Sequence, residues 1–321
     1  MTWILERLTI DPATVAAQIE QLLQNRLQQM QRSGAVLGLS GGLDSAVVAY
    51  LSARALGSDK VTALSLPDRD SKMVHRQDAE RITAELGICL HTRDITPILQ
   101  ALGVYDLLPI GTLPGRTFKQ LAGRLGKSLA GLGRPQDMLA ARLRPQANSW
   151  LAKANAYGMA KHRLRMLLLY QQAEITNGMV VGAANKTEWL TGTFSLWGCD
   201  HSADVMPIIH LYRSQLLPLA AYLGVPQSIL SKPADPDMVP GADDKELLGS
   251  FAKTDQILWG LENSMNRGEL VQAFGKDAVQ YIETLYELSR PMREAPYVVE
   301  PGGGWRTRSD CTDCSGALAT G

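Results

Sequence analysis

From Asp11 to Arg32 the apolar residues Val15, Ile19, Leu22, Leu23 and Leu27 recur at helical spacing, and Asp11-Pro12 supplies a cap with proline at the first helical position. The pattern then changes. Ala35 to Leu39 is a short continuous apolar run, as expected of a strand buried on both faces, and Ser40-Gly41-Gly42 separates it from a helical run over Leu43 to Leu56. Val61 to Leu66 reads as the next strand, Met73 to Leu86 as a helix stopped by Gly87, and Ile88 to Thr92 as a third strand. Short apolar strands alternating with helices of about four turns predict an α/β fold, a parallel sheet joined by right-handed crossovers.

Between residues 104 and 150 this rhythm weakens, because Gly111, Pro114, Gly115, Gly123, Gly126, Gly131, Gly133, Pro135 and Pro145 interrupt any long element. The stretch reads as an insertion or lid. Its Arg116, Lys119, Arg124, Lys127, Arg134, Arg142 and Arg144 outweigh Asp106 and Asp137, so it suits phosphates or an exposed surface. Helix resumes over Ala152 to Ile175, and Met179 to Gly182 is a further strand ending at Ala183-Ala184-Asn185-Lys186. Helices follow over Tyr212 to Leu223, around Asp244 to Leu261 and over Ala278 to Leu288. The expectation is one domain over residues 1–300, interrupted at about 104–150, then a Gly-rich tail over 301–321.

Composition narrows the function. The 321 residues carry 32 basic and 32 acidic side chains without long charged blocks, which gives no electrostatic case for a nucleic-acid binder and points to a small-molecule partner. No run of about 18 apolar residues would span a membrane, and the first eleven residues lack a signal peptide's layout, so a cytoplasmic location is expected. Cys89 and Cys199 are scattered, while Cys311 and Cys314 have the spacing of half a zinc or redox site with no second pair nearby; thiols are the default.

The sharpest chemical signal is Gly38-Leu39-Ser40-Gly41-Gly42-Leu43-Asp44-Ser45, set between a predicted strand and a predicted helix. Glycines let the backbone turn its N–H groups inward, and the following helix adds its N-terminal dipole, an arrangement that suits a pyrophosphate. Asp44 beside a bound anion requires a divalent cation between them, as in a magnesium nucleotide. The loop lacks the lysine of the Walker pattern and is a different phosphate loop.

This motif resembles the Ser-Gly-Gly-x-Asp-Ser hallmark of the PP-loop, or N-type ATP pyrophosphatase, superfamily. Arg163-Leu164-Arg165-Met166, Val180 to Glu188, Thr191 to Phe194, Asp204 to Pro207, Leu211 to Gln215, and Lys232-Pro233 through Leu248-Gly249 then follow in the order seen in NAD synthetases. The resemblance covers roughly residues 15–265 outside the insertion, and it implies a doubly wound, Rossmann-like sheet of the adenine nucleotide alpha hydrolase type. It further implies that the nicotinate carboxylate of deamido-NAD attacks the α-phosphate of ATP, and that ammonia displaces AMP from the acyl-adenylate.

Carried over position by position, the resemblance makes Asp44 and Glu188 the Mg2+ ligands and catalytic carboxylates. Gly38, Ser40, Gly41, Gly42, Asp44 and Ser45 become the ATP cradle, and Arg213 stands where the family usually has a phosphate-contacting lysine. Arg163 and Asp204 match positions that bind deamido-NAD, usually across a dimer interface, so a homodimer is implied. Free ammonia, or a separate glutaminase, is the implied nitrogen source.

Several positions depart from the family pattern. Ala183 replaces a threonine, Leu196 a lysine, Asp235 a serine or threonine, and Pro291-Met292 a His-Lys pair. The adenylation core is therefore better kept than the dinucleotide pocket, and three readings stay open: NAD synthesis, an adenylating amide synthetase with another carboxylate acceptor, and a nucleotide-binding protein without turnover. The basic insertion is a candidate source of replacement contacts to the acceptor's phosphates.

Overall fold

The computed structural model describes residues 2–108, 135–199, 201–232 and 248–294, together with residues 296, 298–299 and 305–306. Four parallel strands form the sheet: β1 (Gly34–Gly38), β2 (Val61–Ser65), β3 (Cys89–Thr92) and β4 (Gly178–Val181), in the order β3-β2-β1-β4. The chain runs outward from β1 to β3 and then returns to place β4 on the other side of β1, in register Val36↔Val180. This reversal makes the carboxyl ends of β1 and β4 the switch point of a doubly wound sheet, where the loops diverge and leave a crevice.

Alternation along the strands divides the core. On one face Ala35 and Leu37 pack with Met179 and Val181 against α2 (Pro12–Gln29), α3 (Leu43–Leu56) and, further on, α9 (Arg213–Leu223). On the other face Val36 and Val180 pack against Leu164, Leu168 and Leu169 of α7 (Trp150–Thr176) and against Leu99 of α5 (Thr96–Ala101). Asp11 caps α2 by accepting from the Ala13 and Thr14 N–H groups. Between the sheet's last strand and α9 lies the short α8 (Lys186–Thr191), and α10 (Gln227–Leu230) follows.

A second core lies outside the sheet. There Ile4 and Leu8 of α1 (Thr2–Leu8), Leu139 of α6 (Pro135–Leu143) and Leu190 of α8 meet α11 (Phe251–Glu262), α12 (Arg267–Phe274) and α13 (Lys276–Arg293). Among the described residues no helix is long and apolar enough to cross a membrane.

The structure redraws the interruption expected at 104–150. Residues 104–106 are a 3-10 turn, and α6 packs into the helical core, with Leu139 fully buried. Arg142, counted above as part of a basic surface, is buried and donates to the carbonyls of Gly192 and Phe194 at 3.0 and 3.2 Å. Arg116, Lys119, Arg124, Lys127 and Arg134 lie outside the described residues, as do Asp235, Cys311 and Cys314.

Candidate functional site

A cavity of about 270 Å³ opens at the switch point, between the loop after β1, the loop after β2 and the starts of α3, α4 (Met73–Leu86), α8 and α9. Its floor is the glycine-serine loop. Gly41 has φ +76°, and a Cβ there would run into the carbonyl oxygen of His75, so only glycine fits this turn. Ser45 Oγ donates to the Gly42 carbonyl at 3.2 Å and stands 3.0 Å from Ser40 Oγ, which accepts from the Gly42 N–H at 3.2 Å. The two hydroxyls lock the loop's shape. Gly42 caps α3 without any side-chain hydrogen bond, so the amides of the first turn of a 14-residue helix remain available to an anion.

Asp44 sits in that first turn, half-buried. Its Oδ1 accepts from Asn185 Nδ2 at 3.1 Å, which ties the β1 loop to the β4 loop across the switch point. Asn185 is also the N-cap of α8: it accepts from the Glu188 N–H at 3.1 Å, while Glu188 Oε2 accepts from the Asn185 N–H at 3.0 Å. This capping box aims Glu188 into the same cavity as Asp44. Two carboxylates with no third ligand suit Mg2+, a hard cation that completes its shell with phosphate oxygens and water. Among the described residues no group of three or more His, Cys, Asp or Glu is poised for an all-protein metal cage.

Arg213, the first residue of α9, is the cavity's buried cation. Its side chain is 11% exposed, its Nε lies 4.0 Å from Asp44 Oδ2, and its Nη1 is buried without a hydrogen-bond partner. A buried guanidinium N–H left unpaired is costly, and an anion in the cavity would satisfy it. The α9 N-terminus is itself held. Thr187 Oγ1 accepts from the Arg213 N–H at 2.9 Å and donates to Asp255 of α11, whose other oxygen accepts from the Ser214 N–H at 2.8 Å. Burial raises the Asp255 pKa above the ordinary carboxylate value, and the Ser214 and Thr187 hydrogen bonds oppose the shift.

Further charged groups, to which the sequence analysis gave no role, support the cavity from its walls and from behind them. Lys232 pairs with the buried Asp78 and donates to the Gly41 carbonyl at 3.2 Å, fixing the cradle from behind. On the opposite wall Lys161 bridges Asp68 and Asp70 at 3.0 and 2.7 Å, and Arg165 donates to the Leu66 carbonyl at 3.1 Å. These contacts clamp the loop after β2 onto α7. Lys232 and Arg165 lie within recognisable motifs, whereas Asp255 had no local signal beyond an acidic residue in an apolar helical stripe.

Of the residues picked out from the sequence, Gly38, Ser40, Gly42, Asp44, Ser45, Glu188 and Arg213 line the cavity, and Gly41 shapes it from beneath. Arg163 and Asp204 do not line it; both are exposed. Arg163 donates through Nε and Nη2 to the Leu196 carbonyl at 3.2 Å, and Asp204 accepts from the Val180 N–H at 2.7 Å and the Tyr170 hydroxyl at 2.9 Å. Ala183 faces the cavity, and Pro291-Met292 ends in the last turn of α13.

The NAD synthase family profile matches residues 15–105 and 135–296. The NH(3)-dependent NAD(+) synthetase of Thermotoga maritima is 38% identical over 273 residues, covering 84% of this chain and 94% of its own. Among solved structures, the NMN synthetase of Francisella tularensis has a TM-score of 0.65 at 26% identity, over 92% of this chain and all of that one. The NH3-dependent NAD synthetase of Campylobacter jejuni, solved with a nitrate ion, has a TM-score of 0.64 at 25% identity, over 91% of this chain and all of its own. Fold, loop and family agree: the chain belongs to the NAD synthase family, in its ammonia-dependent type, and is a ligase that forms C–N bonds.

Proposed function

We propose that this enzyme adenylates the nicotinate carboxylate of deamido-NAD with ATP and then forms NAD by ammonia attack on the acyl carbon. In the first step a carboxylate oxygen bonds to the α-phosphorus and pyrophosphate leaves. In the second the C–N bond forms, AMP departs with the acyl oxygen, and the ammonium-derived nitrogen loses its extra protons. The observation that carries the reading is the convergence of the glycine-serine loop, Asp44, Glu188 and the unpaired Arg213 Nη1 on one cavity. The loop and the α3 N-terminus cradle the β- and γ-phosphates, and Arg213 stabilises the charge that grows on departing pyrophosphate. Asp44 and Glu188 would hold Mg2+, which neutralises phosphate charge when bound. Arg163 and Asp204 serve deamido-NAD from outside the ATP cavity, in a homodimer, and ammonia arrives free or from a separate glutaminase.

A second reading keeps this chemistry and replaces the acceptor with the smaller nicotinate mononucleotide. It is favoured by Leu196, which offers Arg163 only a backbone carbonyl where the family pattern has a lysine, and by the likeness to a protein named NMN synthetase. One assay tests both readings: pyrophosphate release from ATP-Mg and ammonium, alone and with each acceptor. Release strictly dependent on deamido-NAD, with matching NAD, supports the first reading; release preferring the mononucleotide overturns it for the second. Alanine at Arg116, Lys119 and Arg124 should raise the acceptor's KM if the insertion supplies phosphate contacts, and an unchanged KM refutes that role.

A further inference from the structure

Cys199 and His162 form a pair that the adenylation chemistry leaves unused. His162 Nδ1 stands 3.2 Å from Cys199 Sγ, both residues face the cavity, and Cys199 is half-buried and not in a disulfide. The contact is built by its surroundings. Gly198 approaches α7 so closely that a Cβ there would come 3.0 Å from the Cβ of His162 and 2.8 Å from that of Ser195. One residue along the helix from His162, Arg163 grips the Leu196 carbonyl and holds the same loop down.

A thiol becomes nucleophilic as thiolate, and an imidazole within hydrogen-bond reach can take its proton; cationic surroundings favour the charged sulfur. Five Lys and Arg side chains line this cavity against the carboxylates Asp44 and Glu188, and Arg165 lies one turn along α7 from His162. A structural metal is a poor alternative, since it needs three or four such ligands and no cluster of that size exists among the described residues. Cys89 provides the contrast: it is exposed on β3, outside the cavity, 3.5 Å from His91 Nε2.

We propose that Cys199 is a peroxide-sensitive thiol that obstructs the nucleotide cavity when oxidised, with His162 as its base. The Cys199 sulfur, deprotonated by His162, attacks one oxygen of hydrogen peroxide. The O–O bond breaks, the sulfur is oxidised by two electrons to a sulfenic acid, and the leaving hydroxide takes the proton from His162 and departs as water. A small thiol reverses the change by condensing with the sulfenic acid, releasing water, and a second thiol then exchanges the mixed disulfide back to Cys199. Obstruction rests on the nucleotide reading of the cavity; the thiol's reactivity does not.

The test is site-resolved oxidation of the full chain by hydrogen peroxide, with the sulfenic acids trapped by dimedone and located by peptide mass spectrometry. Cys199 should react about tenfold faster than Cys89 despite its lower exposure, and His162→Asn or His162→Gln should remove that advantage. Saturating ATP-Mg should slow trapping at Cys199 about fivefold or more, and Cys199→Ser should retain pyrophosphate release while losing its inhibition by peroxide. Equal rates at Cys199 and Cys89, or an advantage that survives both His162 variants, overturn the proposal. Titration calorimetry separates the remaining outcomes: ATP that binds without slowing Cys199 overturns the obstruction, whereas ATP that does not bind defeats the nucleotide reading and leaves the rate comparison to decide the thiol.

Discussion

At the end of β1 the side chains of Ser40, Ser45, Asp44 and Asn185 bond to one another around a cradle, and Arg213 stands over it with a buried N–H unspent. Past β4, Phe194, Trp197 and His201 are organised for packing instead. His201 is buried in contact with Trp189 and Phe194, which stack on it at 5.4 and 5.5 Å, and Trp197 meets it edge-on with a φ of 62°. Beside these residues, Arg163 donates to the Leu196 backbone carbonyl, and Asp204 accepts from the Val180 N–H and the Tyr170 hydroxyl. The difference teaches that the half proposed to handle phosphate is preorganised within one chain. The half proposed to meet the acceptor sets exposed Trp197, Arg163 and Asp204 beside a buried ring stack, so acceptor choice must be measured separately from ATP chemistry.

The comparison breaks first at Asp44. Asp44→Ala should lower pyrophosphate release by about 10³-fold or more with unchanged circular dichroism, because it removes a proposed cation ligand and the Asn185 link together. An active variant would remove the metal assignment. Arg213→Ala should cost about 10²-fold in kcat with a smaller change in ATP KM, and Arg213→Lys should recover part of the loss. Equal losses in both variants would point to the fork rather than the charge. Arg163→Ala should leave ATP KM within about twofold and raise acceptor KM about tenfold. The reverse pattern would mean that the two halves are not separable.

How far this comparison was legible in the sequence depends on distance along the chain. The helices Leu43–Leu56 and Met73–Leu86 and the strands before them follow from periodicity and from glycine stops, since Gly87 takes the left-handed conformation that ends α4. The cradle is equally local, eight consecutive residues from the end of β1 into the first turn of α3. The short α8 was hidden because six residues give no period, and α6 was masked by prolines and glycines on either side of it. Asp255 and Lys232 act through partners about 70 and 150 residues away, Thr187 and Asp78, which no window of sequence brings together.

Smaller effects probe the supports of the phosphate half. Lys161→Ala leaves the buried Asp68 carboxylate without one of its partners and should cost about 3–5 kcal/mol in urea unfolding. Asp255 provides a pH signature. Its native pKa lies above the unfolded value, so between those two values the native state binds the extra proton, and stability from this group rises as pH falls through the window and levels off below it. Wild type should therefore gain stability relative to Asp255→Asn between neutral pH and about 4. A pH-independent difference would mean that Asp255 binds protons equally in the native and unfolded states, so that burial does not raise its pKa.

The order of the strands also sets a timetable for synthesis. β1 pairs with β2 and β4, but β4 follows β3 by about 85 residues. At about 5–20 residues per second, the roughly 140 residues between β1 and β4 leave one hydrogen-bonding edge of β1 waiting about 7–28 s on the ribosome for the strand that covers it. During that interval the Ser-Gly-Gly loop exists without Asn185, Glu188 or Arg213. A nascent chain arrested before residue 178 should then be the most aggregation-prone length of this protein, and release beyond Arg213 should end that exposure.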